Sequence, residues 1–256
     1  MEESRGDISV CRDLEQLSRR AAHQWARWAD EFVMAKGRFT VALSGGSTPR
    51  ALYARLAGEP FRDCVPWSKV HLFWGDERCV PPDHGDSNYG MVKEALLSKV
   101  PIPPENIHRM PGERKDPVRA AFEYEQTLAE FFNLSRTELP RFDLILLGLG
   151  EDGHTASLFP GTVVLHERKR LAAAPYVEKL HTYRLTLTPP VLNHAANILF
   201  MVSGEAKATI LREVLEGEYQ PEQRPAQLIR PTPERLLWMI DRAAASRLRQ
   251  DLGGES

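Results

Sequence analysis

Four short apolar runs set the limits on what this chain can fold into. Phe39 to Leu43 (FTVAL), KVHLFW before Gly75, RFDLILL before Gly148 and ANILFMV before Ser203 each end at a glycine or a small polar residue. They are apolar on both faces, so each must be covered on both sides, the requirement of a parallel sheet rather than of an antiparallel sheet with one wet face. The stretches between them have helical spacing. Leu14, Leu17, Ala21, Trp25, Trp28 and Phe32 recur at three- and four-residue steps and predict an amphipathic helix ending before Gly37, with the two tryptophans as core. SNYGMVKEALLSKV and DPVRAAFEYEQTLAEFF read as further helices. Strands alternating with helices predict an α/β fold, with a largely parallel central sheet flanked by helices. YRLTLT and AQLIR are additional strand candidates, RLLWMID fits strand or helix, and AAASRLRQ reads as a last helix. No repeat, low-complexity tract or linker interrupts the pattern, and Pro101, Pro103 and Pro104 make a rigid turn. One domain over residues 1–256 is therefore expected.

Composition removes several classes of function. The 256 residues, 42% hydrophobic and 27% charged, suffice for a sizeable core. The formal net charge is −2 with interspersed signs, so no field favours nucleic acid or an anionic membrane. An anionic small molecule must instead be met by a local cluster of donors. Cys11, Cys64 and Cys79 are widely spaced and form no C-x-x-C, which argues against a disulfide framework or a zinc site and fits a reducing cytosol. The opening MEESRGDISVCRDLEQ lacks the apolar core of a signal peptide, and no apolar run has the length of a membrane span, so a cytoplasmic protein is expected. The eight histidines are scattered without H-E-x-x-H, and no G-x-S-x-G elbow is present.

In open parallel sheets, ligands bind beyond the carboxyl ends of the strands. The polar residues that follow the apolar runs should therefore share one rim: Ser44 to Thr48, Asp76 to Arg78, Gly150 to His154, and Ser203 to Lys207. In LSGGSTPRALY, Gly45 and Gly46 precede a helix start at which Ser47 or Thr48 can cap and Pro49 suits the first turn. The stretch reads equally as a phosphate cradle and as a tight turn before a capped helix. Asp76, Glu77 and Arg78 read by default as an exposed acidic turn, although Arg78 offers a fork suited to phosphate or carboxylate. Ser87 or Asn88 can cap the helix that follows. Lys207 reads by default as a solvated lysine in a first helical turn, where it opposes the dipole unless an anion or Glu205 compensates. Arg184 is a further candidate donor.

GLGEDGH contains Gly148, Gly150 and Gly153, the G-x-G-x-x-G of dinucleotide-binding proteins. The context contradicts that reading. The motif lies past the middle of the chain, Pro160 and Gly161 interrupt the helix it requires, and no strand ending in Asp or Glu follows at the right distance. The alternative uses the residues the fingerprint ignores. Gly153 permits a sharp turn that lifts His154 onto the rim, where imidazole can take and return a proton near neutrality. Asp152 is close enough in sequence to orient the ring, and a structural histidine capping a turn is the competing reading.

ALSGGSTPRALY, FWGDERCVPPDHGDSNYGM, FDLILLGLGEDGHTASLFPG, RLTLTPPVLNHA and VSGEAKATIL, followed by PAQLIRP and LLWMIDRAA, together resemble the 6-phosphogluconolactonase family. The resemblance covers about residues 41–244. It implies hydrolysis of 6-phospho-D-glucono-1,5-lactone to 6-phosphogluconate in the oxidative pentose phosphate pathway. It also implies a modified Rossmann-like fold shared with glucosamine-6-phosphate deaminase and ribose-5-phosphate isomerase. The family's proposed base falls on His154, and its substrate-holding positions on Gly45, Gly46, Ser47, Thr48, Arg78, Arg184 and Lys207. Neither metal nor organic cofactor is implied, and a monomer or homodimer is expected. Two alternatives stand beside it. An amino-sugar-phosphate deaminase or isomerase would use Asp76, which stands where the related deaminase has its acid–base aspartate. A non-catalytic sugar-phosphate sensor would bind on the same fold without turnover.

Overall fold

The computed structural model describes residues 6–231 and 236–249. In chain order its first elements are β1 (Asp7–Cys11), α1 (Leu14–Lys36), β2 (Phe39–Leu43), α2 (Ser47–Leu56), α3 (Phe61–Cys64), β3 (Val70–Trp74) and β4 (Asp76–Arg78). Then come α4 (Asn88–Val92), β5 (Ile107–His108), α5 (Pro117–Phe132), β6 (Leu144–Leu147), β7 (Ala172–Ala173) and β8 (Tyr176–Val177). The last are β9 (Thr182–Leu187), α6 (Pro189–Asn193), β10 (Ile198–Val202), α7 (Ala208–Glu216) and β11 (Leu236–Asp241). Seven strands form one sheet in the order β1-β11-β10-β6-β2-β3-β5, with every neighbouring pair parallel.

The four apolar runs occupy the middle of that sheet. Every residue of β2, β6 and β10 is buried, and truncating a leucine there to alanine costs about 2–5 kcal/mol. α1 covers one face through Leu17, Ala21, Trp25 and Ala29. Asp13 caps its start by accepting from the Gln16 N–H at 2.8 Å, and Gly37, at φ 78, ends it in the left-handed conformation that a side chain resists. Trp25 is fully buried, whereas Trp28 and Phe32 pack only partly against the core. At the amino ends of the strands, Asp143 accepts from both the backbone and the hydroxyl of Thr40 at 2.8 Å and pairs with Lys36 at 2.7 Å. This buried carboxylate pins the register of β2 against β6.

A second, antiparallel layer lies over the carboxyl end of the sheet. It has the order β4-β9-β7, with β8 also paired to β9. YRLTLT thus forms a strand outside the central sheet, and Gly75 joins the two layers, its N–H donating to the Leu43 carbonyl of β2 and its carbonyl accepting from the Leu187 N–H of β9, both at 2.8 Å. RLLWMID resolves as strand from Leu236 onward, as β11, with residue 235 outside the described residues. AQLIR does not form a strand. Pro225 removes a ladder donor and opens a 3-10 turn over Pro225–Leu228. In it the Gln227 amide donates to the Glu213 and Glu218 carbonyls at the end of α7. AAASRLRQ contributes one 3-10 turn, Ala244–Arg247, with residue 250 outside the described residues. Among the described residues, no helix is long and apolar enough to cross a membrane.

Candidate active site

From β2 the chain proceeds to β3 and β5 on one side of the sheet, then crosses to β6, β10 and β11 on the other. The strand order therefore reverses between β2 and β6, where the loops leaving their carboxyl ends part and open a crevice. A cavity of about 220 Å³ lies there. Gly45, Gly46, Ser47 and Thr48 line it after β2, Gly148 to Gly150 and His154 after β6, Ser203 and Lys207 after β10, and Asp76 and Arg78 from β4. The four sequence segments do share one rim. Asp152 stands behind His154, and Arg184 stands on β9, so neither lines the cavity itself.

The loop after β2 departs from expectation in one respect. Neither Ser47 nor Thr48 caps α2. Gly46 occupies that position at φ 101, and no side chain caps the helix. The first intrahelical bond is Arg50 N–H to the Gly46 carbonyl at 3.1 Å, so the Ser47 and Thr48 amides have no intrahelical acceptor. Both residues line the cavity, with the positive end of the helix dipole behind them. Gly45 is required for a different reason, since a β-carbon there would overlap the Asn88 side chain.

Asp76, Glu77 and Arg78 are not an exposed turn. They form β4, with Asp76 8% and Glu77 2% exposed, because pairing with β9 covers them. Asp76 accepts from the Ser157 hydroxyl at 2.7 Å and from the Asn88 amide at 3.3 Å. Glu77 points away from the cavity and anchors α4, accepting from the backbone of Asn88 at 2.7 Å and Tyr89 at 2.8 Å and from the Ser87 hydroxyl at 3.2 Å. Burial pushes its carboxyl up, against the three backbone donors that pull it down. Ser87 caps α4, accepting from the Gly90 N–H.

Arg78 and Arg184 stand directly opposite each other across β4 and β9, a juxtaposition of like charges that is unfavourable by itself. Among the described residues neither forms an ion pair. Burial, then the facing Arg78, pulls Arg184 below its ordinary range. Lys207, in the turn before α7, pairs with Glu151 rather than Glu205, at 3.8 Å. The rim thus gathers three cations, which Asp76 and Asp86 beside Arg184 and Glu151 beside Lys207 offset in part.

His154 is held on all sides. The Gly150 N–H donates to its carbonyl at 2.8 Å, Gly153 turns the chain at φ 80, and the Gly153 carbonyl accepts from Ala226 at 2.8 Å. Its Nδ1 contacts the Asp152 carboxylate, which can only accept, so this nitrogen carries the proton and Nε2 the lone pair. The ring stacks on Phe159 with centroids 4.1 Å apart. Burial pushes the imidazole down to about 4; Asp76 opposes the shift, and Lys207, Arg78 and Arg184 reinforce it. Burial thus favours the neutral ring. Asp152 also pairs with Lys179, a residue that carries no sequence signal. Nothing in the sequence marks Asn88 and Ser157 as partners of Asp76. Among the described residues, no group of three His, Cys, Asp or Glu side chains is placed to hold a metal.

A family model described as glucosamine-6-phosphate isomerases/6-phosphogluconolactonase matches residues 12–238. The chain belongs to this family. Among its glucosamine-6-phosphate isomerase/6-phosphogluconolactonase relatives is a 6-phosphogluconolactonase of Synechocystis sp., 46% identical over 217 residues, 85% of this chain and 88% of the relative. One from Nostoc sp. is 44% identical over 219 residues, 86% and 88% of the two chains. The solved 6-phosphogluconolactonase of Trypanosoma brucei superposes with a TM-score of 0.85 at 28% identity, covering 96% of this chain and 100% of that one. A monomeric glucosamine-6-phosphate deaminase shares the fold at 22% identity, with a TM-score of 0.79.

Proposed function

We propose that the protein hydrolyses 6-phospho-D-glucono-1,5-lactone to 6-phospho-D-gluconate, with one α/β domain carrying the whole site and His154 as general base. One observation carries the reading. The imidazole of His154, its Nδ1 tied to Asp152, lines one cavity together with the uncapped start of α2 and the cations Arg78 and Lys207. The names of the Synechocystis, Nostoc and Trypanosoma relatives support the same substrate.

A δ-lactone is an activated ester and needs no covalent nucleophile. A water attacks C1 while passing a proton to Nε2 of His154. The tetrahedral oxyanion then collapses, the C1–O5 bond breaks, and Nε2 returns the proton to O5. Such acid–base assistance is worth about 10²–10⁴-fold. Asp76, which favours the cationic ring, stabilises the imidazolium formed between the two transfers, and rim amides or Arg78 serve as donors to the oxyanion. Gly45, Gly46, Ser47, Thr48, Arg78 and Lys207 hold the substrate and its 6-phosphate, with Arg184 joining them from β9 beyond the cavity wall, opposite Arg78; this fixes C1 against the water. The phosphate also offsets the cations that depress His154, so binding strengthens the base when it is needed.

The test compares freshly generated phosphorylated lactone, the unphosphorylated lactone and glucosamine 6-phosphate, each corrected for spontaneous reaction. Rapid hydrolysis of the first, at least about 10²-fold less efficient hydrolysis of the second, and no ammonia from the third are expected. Ammonia release without lactone hydrolysis would establish the deaminase instead, and binding without turnover the sensor.

A further inference from the structure

Lys179 reaches the site from outside every motif that marks it. It sits in the 3-10 turn Glu178–Leu180, between β8 and β9. The chain leaves that turn through His181 at φ 48, whose N–H closes on the Glu178 carbonyl at 3.0 Å. Nζ pairs with Oδ2 of Asp152 and lies 5.1 Å from the centroid of Phe159. The other oxygen of Asp152 holds Nδ1 of His154, and the His154 ring stacks on the same Phe159. An ion pair, a hydrogen bond, a cation–π contact and a ring stack thus close on one another.

We propose that Lys179 is a positioning residue: paired with Asp152, it fixes that carboxylate against Nδ1 of His154 and offsets its charge, leaving Nε2 as an unprotonated base. The inference rests on His154 being the base. A carboxylate alone beside an imidazole favours the cationic ring, which has no lone pair for the water's proton. A carboxylate shared with an ammonium still directs the ring but attracts the proton less. The other charges facing His154 are Asp76 and Arg78 from β4, Arg184 from β9 and Lys207 before α7, with Glu151 on Lys207. Lys179 differs from these cations in acting through Asp152.

The test uses Lys179→Met, Lys179→Arg, Asp152→Asn and the Lys179→Met/Asp152→Asn double variant. Two readouts are needed: titration of the His154 ring by NMR without substrate, and kcat against pH at saturating lactone. In Lys179→Met the ring titration and the acid limb of kcat should both move up by roughly half a pH unit or more. kcat should fall several-fold while KM stays within about twofold. Lys179→Arg should restore both. Adding Lys179→Met to Asp152→Asn should change little, because the path is already cut. An unmoved ring titration in folded Lys179→Met, an unmoved kcat profile, or additive effects would each overturn the proposal. Should His154→Ala retain turnover, the base assignment and the catalytic half of the inference fall together. The ring titration would still report whether Lys179 governs His154 through Asp152.

Discussion

Gly150 lies against the imidazole of His154, so closely that a β-carbon at 150 would overlap Nδ1 and Cε1 of the ring. The three glycines that spell a dinucleotide fingerprint therefore serve the histidine. Gly150 leaves room for the ring, Gly153 turns the chain at φ 80, and the Gly148 carbonyl accepts from the Thr155 hydroxyl at 2.8 Å.

The first expected outcome follows from that contact. Gly150→Ala leaves an allowed backbone but pushes the ring off Asp152. Lactone hydrolysis should fall on the order of 10²-fold, with circular dichroism and melting temperature close to wild type. An alanine variant with normal turnover would show that the ring position is not critical.

The facing arginines of β4 and β9 give a second. Without ligand, burial and the facing Arg78 outweigh the favourable Asp76 and Asp86 at Arg184, so Arg184→Gln should leave the melting temperature unchanged or raise it. KM for the phosphorylated lactone should rise about tenfold or more. Inorganic phosphate should stabilise the wild type and stabilise the variant less, as read by thermal shift. Equal stabilisation of both would place the phosphate elsewhere.

Glu77 gives a third. Its carboxylate gathers donors from Arg78, Asn88, Tyr89 and Ser87, and Glu77→Ala leaves them buried without an acceptor. A loss on the order of 3 kcal/mol is expected by denaturant unfolding. A loss below about 1 kcal/mol would mean that water replaces the carboxylate.

Acid sensitivity gives a fourth. Burial lowers His71 below its ordinary value, lowers His108 to about 4 with His71 reinforcing it, and lowers His154 to about 4. Below the ordinary value of 6.5 the unfolded chain binds protons that the folded protein refuses. Stability present above that pH is therefore lost progressively as pH falls toward 4. His108→Phe keeps the stack on Phe73, whose centroid is 4.3 Å away, and removes one of these protons. Unfolding free energies at pH 7.5, 6 and 5 should decline less steeply in the variant. Parallel curves would contradict the assignment.

Much of this architecture could be read in the residues themselves. Phe39 to Leu43, the apolar runs ending at Trp74 and Leu147, and Ile198 to Val202 became neighbouring strands because continuous apolar sequence has few alternatives to burial on both faces. The convergence of Ser47, Asp76, His154 and Lys207 followed from parallel topology. AQLIR alternates like a strand, yet Pro225 and the Gln227 amide serve the end of α7 instead. The burial of Asp76 and Glu77 depends on β9, about a hundred residues away in the chain, and no local pattern predicts such pairing. β1, at the sheet's edge, pairs only with β11 among the described residues and lacks the dense apolar run that marks a central strand. Lys179, Asn88 and Ser157 act through single tertiary contacts, for which sequence carries no periodicity.

His154 carries the proposed hydrolysis. Turnover of freshly generated 6-phosphogluconolactone by wild type and by His154→Ala, corrected for spontaneous hydrolysis, measures its role. A fall in kcat on the order of 10²-fold or more is expected, with binding of the phosphorylated ligand largely kept. Near-normal turnover by His154→Ala would contradict it.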